Sequence, residues 1–347
     1  TNYYISIMIC IFLVLYFGML LITEYYIMTE GQSQKVKTVF GRIGRFAFAS
    51  LLAGGLAAVL LIPEVCAILR TDFGNSDFPG TLESYFSVFD MLARHCLCVT
   101  TERGLEHWPN IYCGVAVFLL VPMYALNEKI SVRKRFCNLA LAGFLLLSFG
   151  TNVLDFLWHG LNYPDSLPAR QSFLYIFLIL VMCYDAFRNV EGTSPRQIIY
   201  GYLAAVVFLL ACEKFVVSED FDTGIEVLTL VFVTIYGVIL YLYRTRKSEL
   251  TRQVLGILVL ACIVAELSIN TFNTSLGTTG RSAYLGDQED YKALYTLARE
   301  QEGDDFFRIE KFTRKTKNDG TLTGYPTASV FSSTMNSRVM DLYKKFG

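Results

Sequence analysis

The stretch FCNLALAGFLLLSFGTNVLDFLWHGLNYPDSLPARQSFLYIFLILVMCYDAF, Phe136 to Phe187, sets two apolar runs on either side of a polar break. The first, Phe136–Trp158, is long enough to cross a bilayer, for which about 20 mainly apolar residues suffice. The second, Ser172–Phe187, falls slightly short of that length. Between them stand His159, Asp165 and Arg170, ionisable groups at the point where the chain must turn. A pair of spans joined in this way predicts a membrane protein, and the rest of the chain repeats the pattern.

Eight runs qualify or nearly qualify as spans: Tyr3–Ile22, Phe46–Leu69, Ile111–Leu126, Phe136–Trp158, Ser172–Phe187, Ile198–Val217, Ile225–Tyr243 and Val254–Ile269. The third, fifth and eighth are short. Over its 347 residues the chain is 53% hydrophobic and only 18% charged, below the roughly 25% usual in a soluble domain. Its formal charge of −1 excludes a dedicated nucleic-acid binder, which would carry a strongly basic surface. The apolar run from Tyr3 has no basic segment before it and so is not a signal peptide; the chain is expected to begin inside a longer protein. Most of the nine cysteines lie in or beside apolar runs, where cysteine acts as a small hydrophobe. Cys96-x-Cys98, with no second pair near it, is a weak metal signal.

Lys and Arg collect on the cytoplasmic side of a membrane. One alternating set of loops holds fourteen: Lys35, Lys37, Arg42, Arg45, Lys129, Arg133, Lys134, Arg135, Arg188, Arg196, Arg244, Arg246, Lys247 and Arg252. The other holds four: Arg70, Arg94, Arg103 and Arg170. The chain is therefore expected to start outside, with the tail after Ile269 also outside. That tail is charged and balanced in sign. Asp287, Tyr291, Leu294, Tyr295 and Ala298 predict an amphipathic helix ending near Gly303, Phe306–Phe312 a short strand, and Ser333 or Thr334 the cap of a second helix. The expected architecture is an all-α integral membrane bundle of about eight spans, residues 1–269 with an outer loop over 70–110. Residues 270–347 form part of an extracytoplasmic α+β domain.

Ionisable groups within spans are costly and point to function. On one helix, Ser148, Asn152, Asp155 and His159 share a face. Asp155 and His159 either terminate that helix in water or form a site. Gly160, Pro164 and Pro168 forbid its continuation. Arg170 either grips a phosphate or snorkels to lipid headgroups. Glu64 after Pro63 and Glu266 lie near outer ends of spans. The outer loop over Tyr85–Ala93 has the spacing of a helix lying on the bilayer. No P-loop, Rossmann glycine pattern or H-E-x-x-H is present, and no cofactor is implied.

N-Y-Y-I-S-I-M-I-C-I-F-L-V-L-Y-F (Asn2–Phe17), P-N-I-Y-C-G (Pro109–Gly114), W-H-G-L-N-Y-P-D-S-L-P-A-R-Q-S-F (Trp158–Phe173) and F-F-R-I-E-K…N-D…G-Y…F-S-S-T-M-N (Phe306–Asn336) resemble, in order, the YfhO family of bacterial multispanning membrane proteins. The resemblance implies a GT-C-type glycosyltransferase of the bacterial plasma membrane. Such an enzyme moves a sugar from a polyprenyl-phosphate carrier to an envelope polymer of the lipoteichoic-acid type, outside the cell. It also implies a main catalytic carboxylate in an outer loop that precedes this sequence, and a tail domain continuing past it. Here Arg170 and His159, with Arg94 from the long loop, would bind phosphate, and Asp155 would orient His159. Asn110 and Tyr112 would contact sugar or acceptor, and Glu64 is a secondary catalytic carboxylate. The expected partners are the lipid-linked donor, the polymer acceptor and membrane lipid, with no nucleic acid and no metal. A pocket is expected between the outer ends of spans two to five. A lipid-linked sugar transporter and a non-catalytic envelope scaffold are the alternatives.

Overall fold

The structure is a computed structural model that describes residues 3–25, 32–70, 77–102, 108–162, 169–277, 280–303, 305–311, 316, 318–327 and 337–346. The chain divides into two compact units, Thr1–Phe48 with Ser76–Leu276, and Ala49–Asn75 with Gly277–Gly347. Arg103, Asp165, Pro164, Pro168 and the caps expected at Ser333 or Thr334 lie outside the described residues.

The first unit is helical: α1 (Tyr3–Tyr25), the start of α2 (Gln32–Ile68), α3 (Val88–Ala93), α4 (Val117–Leu126), α5 (Val132–Gly150), α6 (Asn152–Trp158), α7 (Ser172–Arg188), α8 (Pro195–Phe215), α9 (Thr223–Thr245) and α10 (Glu249–Thr274). Five helices are long and apolar enough to span a membrane, over Tyr4–Thr23, Lys37–Ile68, Pro195–Phe215, Thr223–Thr245 and Glu249–Thr274. The other three expected spans are shorter or broken helices. The third is cut to α4 because residues 111–114 are not helical and Gly114 has φ +96°. The fourth is split into α5 and α6, and the fifth is α7.

α4 is the centre of this unit, packing against α5, α7, α8 and α9. Leu119, Met123 and Tyr124 are fully buried there, as suits a helix apolar on every side. Gly201 of α8 faces this helix, and a Cβ there would meet Pro122 and the Leu119 carbonyl at ordinary contact distance.

The connections sort into two groups, in the same alternation as the basic residues. In one group, Asn127 Nδ2 donates to the Asn189 carbonyl at 2.8 Å, Lys129 pairs with Glu191 at 2.7 Å, and Arg244 Nε donates to the Thr193 carbonyl at 2.8 Å. In the other, Asp90 accepts the Val217 amide at 2.8 Å and Thr229 accepts the Leu97 amide at 3.0 Å. α3 buries Asp90, Met91 and Ala93 against the bundle and leaves Val88 exposed.

In the second unit the tail forms α11 (Arg281–Leu285), α12 (Gln288–Glu302), α13 (Asp319–Thr323) and α14 (Ser337–Phe346). The helix expected to end near Gly303 is α12, with Gly303 at φ +67°. Residues 305–311 form no strand among the described residues; the Ile309 amide makes a single link to the Pro326 carbonyl at 2.8 Å. Buried Asp319 pairs with Lys311 at 2.9 Å, and Lys311 also lies 3.8 Å over the Tyr291 ring. Lys311 and Asp319 are residues of the fourth sequence motif, and here they join two parts of the tail.

Candidate functional site

The break between α5 and α6 builds the site. Thr151 is extended (φ −129°, ψ 133°), and the outer loop pairs with it as a short ladder. The Tyr85 amide donates to the Gly150 carbonyl at 3.0 Å and the Asn152 amide to the Glu83 carbonyl at 3.2 Å. Asn152 also spends its side chain on this loop, accepting the Glu83 amide at 3.0 Å and donating to the Thr81 carbonyl at 2.8 Å. The polar face expected along one continuous helix is thus divided, and Asp155 and His159 belong to the short second piece.

That piece ends in a Schellman stop. The Leu161 amide reaches the Phe156 carbonyl at 3.0 Å, the Gly160 amide reaches Leu157 at 3.2 Å, and Gly160 takes φ +69°. This is the 6→1 and 5→2 pair that satisfies the last carbonyls of a helix. His159 is the residue just before the glycine, and its ring is completely buried.

Its Nδ1 lies 2.9 Å from the Asp155 main-chain oxygen and 3.1 Å from Asp155 Oδ1. Both neighbours are acceptors, so Nδ1 carries a proton, and its N–H is aimed at the main-chain oxygen. Oδ1 accepts no hydrogen bond despite its proximity. In the neutral ring Nε2 is then a bare lone pair, and it has no partner. Asp155 Oδ2 receives a long hydrogen bond from the Tyr85 hydroxyl at 3.4 Å. Gln171, also fully buried, leaves Oε1 unpartnered while its Nε2 lies 3.5 Å from Ser148 Oγ. Three of the five unpartnered buried side-chain atoms among the described residues therefore sit at the α5–α6–α7 junction, and all three are acceptors.

Tyr4 of α1 joins this group to Arg170. Its ring meets the His159 ring edge-on at 6.1 Å, and the Arg170 guanidinium lies 4.9 Å over its face. Of the residues singled out from sequence, the structure brings together Asp155, His159 and Arg170. Tyr4 was hidden inside an apolar run, and only its place in the Asn2–Phe17 motif marked it.

The others are committed elsewhere. Arg94 is buried, donating through Nε to the Pro109 carbonyl at 2.9 Å and through Nη2 to the Thr100 carbonyl at 2.5 Å. Asn110 staples the same loop by exchanging two 2.9 Å hydrogen bonds with the Glu102 backbone. Tyr112 donates to Glu266 Oε1 at 2.7 Å. Glu64 is half-buried on the part of α2 that belongs to the second unit.

His95, to which sequence gave no role, is buried; its Nδ1 donates to the Leu92 carbonyl and its Nε2 accepts the Tyr175 hydroxyl, both at 3.0 Å. Burial pushes its imidazole down to about 4 against the opposing pull of the Leu92 hydrogen bond. It heads an open apolar groove of about 240 Å³ lined by α4, α7 and α8, including Phe118, Pro122, Ile179 and Phe208. The pocket was expected between the outer ends of spans two to five; this groove uses the third and fifth of these together with the sixth. Among the described residues no cluster of metal-ligating side chains occurs. Cys96 is buried, and burial raises its thiol far above the usual range.

Against known proteins, the model of a family described as bacterial membrane protein YfhO matches residues 1–347. The chain belongs to the YfhO family. No curated protein and no solved structure matches it. YfhO membership and the five long apolar helices together make this a multi-pass membrane protein.

Proposed function

We propose that this YfhO chain acts as a glycosyltransferase at the outer face of the bacterial plasma membrane. In this role it moves a sugar from a polyprenyl-phosphate carrier to an envelope polymer, with its tail outside. The observation that carries this reading is the Tyr4 ring, which holds a guanidinium on its face and a buried histidine at its edge. Transfer from such a donor needs a cation for the departing phosphate and acceptors for hydroxyl groups. Arg170 supplies the first; His159 Nε2, Asp155 Oδ1 and Gln171 Oε1 supply the second. The groove headed by His95 and Tyr175 suits one stretch of an apolar polyprenyl chain.

The test uses full-length protein in lipid vesicles, supplied with polyprenyl phosphate carrying radiolabelled glucose and with lipoteichoic acid. Label is expected to pass to the polymer, and Arg170→Ala to raise KM for the lipid donor about tenfold. Label that crosses the bilayer while remaining on the lipid would instead identify a transporter, and neither result would leave a scaffold.

A further inference from the structure

The last helix of the tail, α14, is attached to the end of a membrane helix. Within the second unit, residues 49–68 of α2 belong to a candidate span and carry a single charged residue, Glu64. They climb about 30 Å at helical rise, the depth of a hydrocarbon core of about 30 Å. Arg70, the next charged residue, follows at the level of the headgroups. Its carbonyl accepts the Ser337 amide at 3.1 Å and the Ser337 hydroxyl at 3.2 Å. The first residue of α14 is therefore held where α2 leaves the bilayer.

The sequence of α14 suits such a boundary. Val339, Leu342, Tyr343 and Phe346 recur at the spacing of one helical face, with Met340 beside them, and Arg338, Asp341, Lys344 and Lys345 fall on the other. Three basic residues against one acid favour an anionic surface. Elsewhere in the tail the apolar residues are spent on the tail itself: in α12, Tyr295 meets the Phe307 ring at 6.1 Å and Tyr291 lies under Lys311. Among the described residues no other helix packs along α14, and Val339, at the start of its apolar face, stands exposed.

From this continuity with α2 and this charge, we propose that α14 is an interfacial helix. Its apolar face rests in the boundary between headgroups and acyl chains, and its basic face meets the phosphates of anionic phospholipids. The partner is the bilayer that α2 crosses, and the contact is independent of any reaction the protein carries out. A helix satisfies its backbone groups internally, so only its apolar side chains need enter the lipid. Each basic residue close to an anionic leaflet strengthens the contact roughly fivefold. The tail is thereby fastened to the membrane at α14 as well as at Thr274, where the chain leaves α10.

The experiment places the full-length protein in vesicles of phosphatidylglycerol and phosphatidylcholine, with lipids brominated near the headgroup end of the acyl chain as quenchers of tryptophan. Emission added by a new tryptophan is read against the unsubstituted protein, whose two tryptophans form the background. Val339→Trp, on the apolar face, should lose about half or more of its added emission to these lipids, and Asp341→Trp, on the polar face, about a tenth or less. Equal quenching at the two positions overturns the proposal. So does quenching of Val339→Trp that strengthens when the bromines sit at the chain ends, which marks a helix inserted through the core. An unquenched Val339→Trp means that protein covers the apolar face, a second copy if its emission changes with the ratio of protein to lipid, and this too overturns the proposal. Should these substitutions unfold the tail, amide exchange in the unsubstituted protein answers the same question. Residues 338–346 should exchange about fivefold or more slowly in vesicles containing phosphatidylglycerol than in phosphatidylcholine alone, and Lys345→Gln should remove about fivefold of that protection. Exchange equal in the two lipids overturns the anionic contact.

Discussion

The hydroxyl of Tyr112 donates to Glu266 Oε1 at 2.7 Å, tying the entry of α4 to α10 across 154 residues of sequence. The same carboxylate accepts the Val115 amide at 2.6 Å and, on Oε2, the Tyr236 hydroxyl at 2.6 Å. Glu266 is 2% exposed, so all three donors depend on it. Tyr112→Phe or Tyr236→Phe removes one hydrogen bond and should cost about 1 kcal/mol, hydrogen bonds in membrane proteins averaging roughly 0.6 kcal/mol. Glu266→Ala strands three donors together and should cost about 3 kcal/mol or more. Thermal unfolding in detergent ranks them, and a Glu266→Ala Tm equal to that of Tyr112→Phe would reduce Glu266 to a spectator.

His95 makes stability depend on pH. Its folded imidazole titrates at about 4, against about 6.5 for a free histidine. Above about pH 6.5 neither state binds the proton, so the group contributes no pH dependence. Below it the unfolded chain takes up a proton that the folded one refuses, and stability falls until about pH 4, by up to roughly 3 kcal/mol. His95→Asn should flatten this window. Equal loss of Tm in both proteins between about pH 7 and pH 4.5 would place the acid sensitivity elsewhere.

How much of this was legible in the sequence differs by feature. The long apolar helices and the alternation of connections follow from hydrophobic length and from Lys and Arg, which are local properties. The break at Thr151 has no proline to announce it; it exists because residues 83–85 pair with residues 150–152, a long-range event. Arg94, Asn110 and Tyr112 were legible as polar residues of the outer loop and the mouth of the third span, but the carbonyls and the carboxylate they meet were not, because a side chain does not record which distant group the fold will bring to it. His159 and Asp155 were found by their helical spacing. The direction of the imidazole was not legible, because it depends on where α6 begins and stops.

Arg94 should behave as a structural residue. Its guanidinium bridges the Pro109 and Thr100 carbonyls and lies 5.8 Å over the Trp108 ring. Arg94→Lys keeps the charge but not the fork that spans two carbonyls. It should lower Tm while leaving KM for the lipid donor unchanged. A raised KM at unchanged Tm would return Arg94 to the substrate.

Gly160 links helix termination to the geometry of His159. At φ +69° an alanine is strained by roughly 1 kcal/mol, whereas asparagine tolerates the left-handed region. Gly160→Ala should therefore lower Tm, and Gly160→Asn should recover much of the loss. The two also differ in what they do to the imidazole. If the Schellman stop sets the ring's position, as its place one residue before the glycine requires, kcat should fall in Gly160→Ala and return in Gly160→Asn, following Tm. A Gly160→Ala protein that loses stability but keeps full kcat would show that Asp155 alone holds the imidazole, independently of how α6 ends.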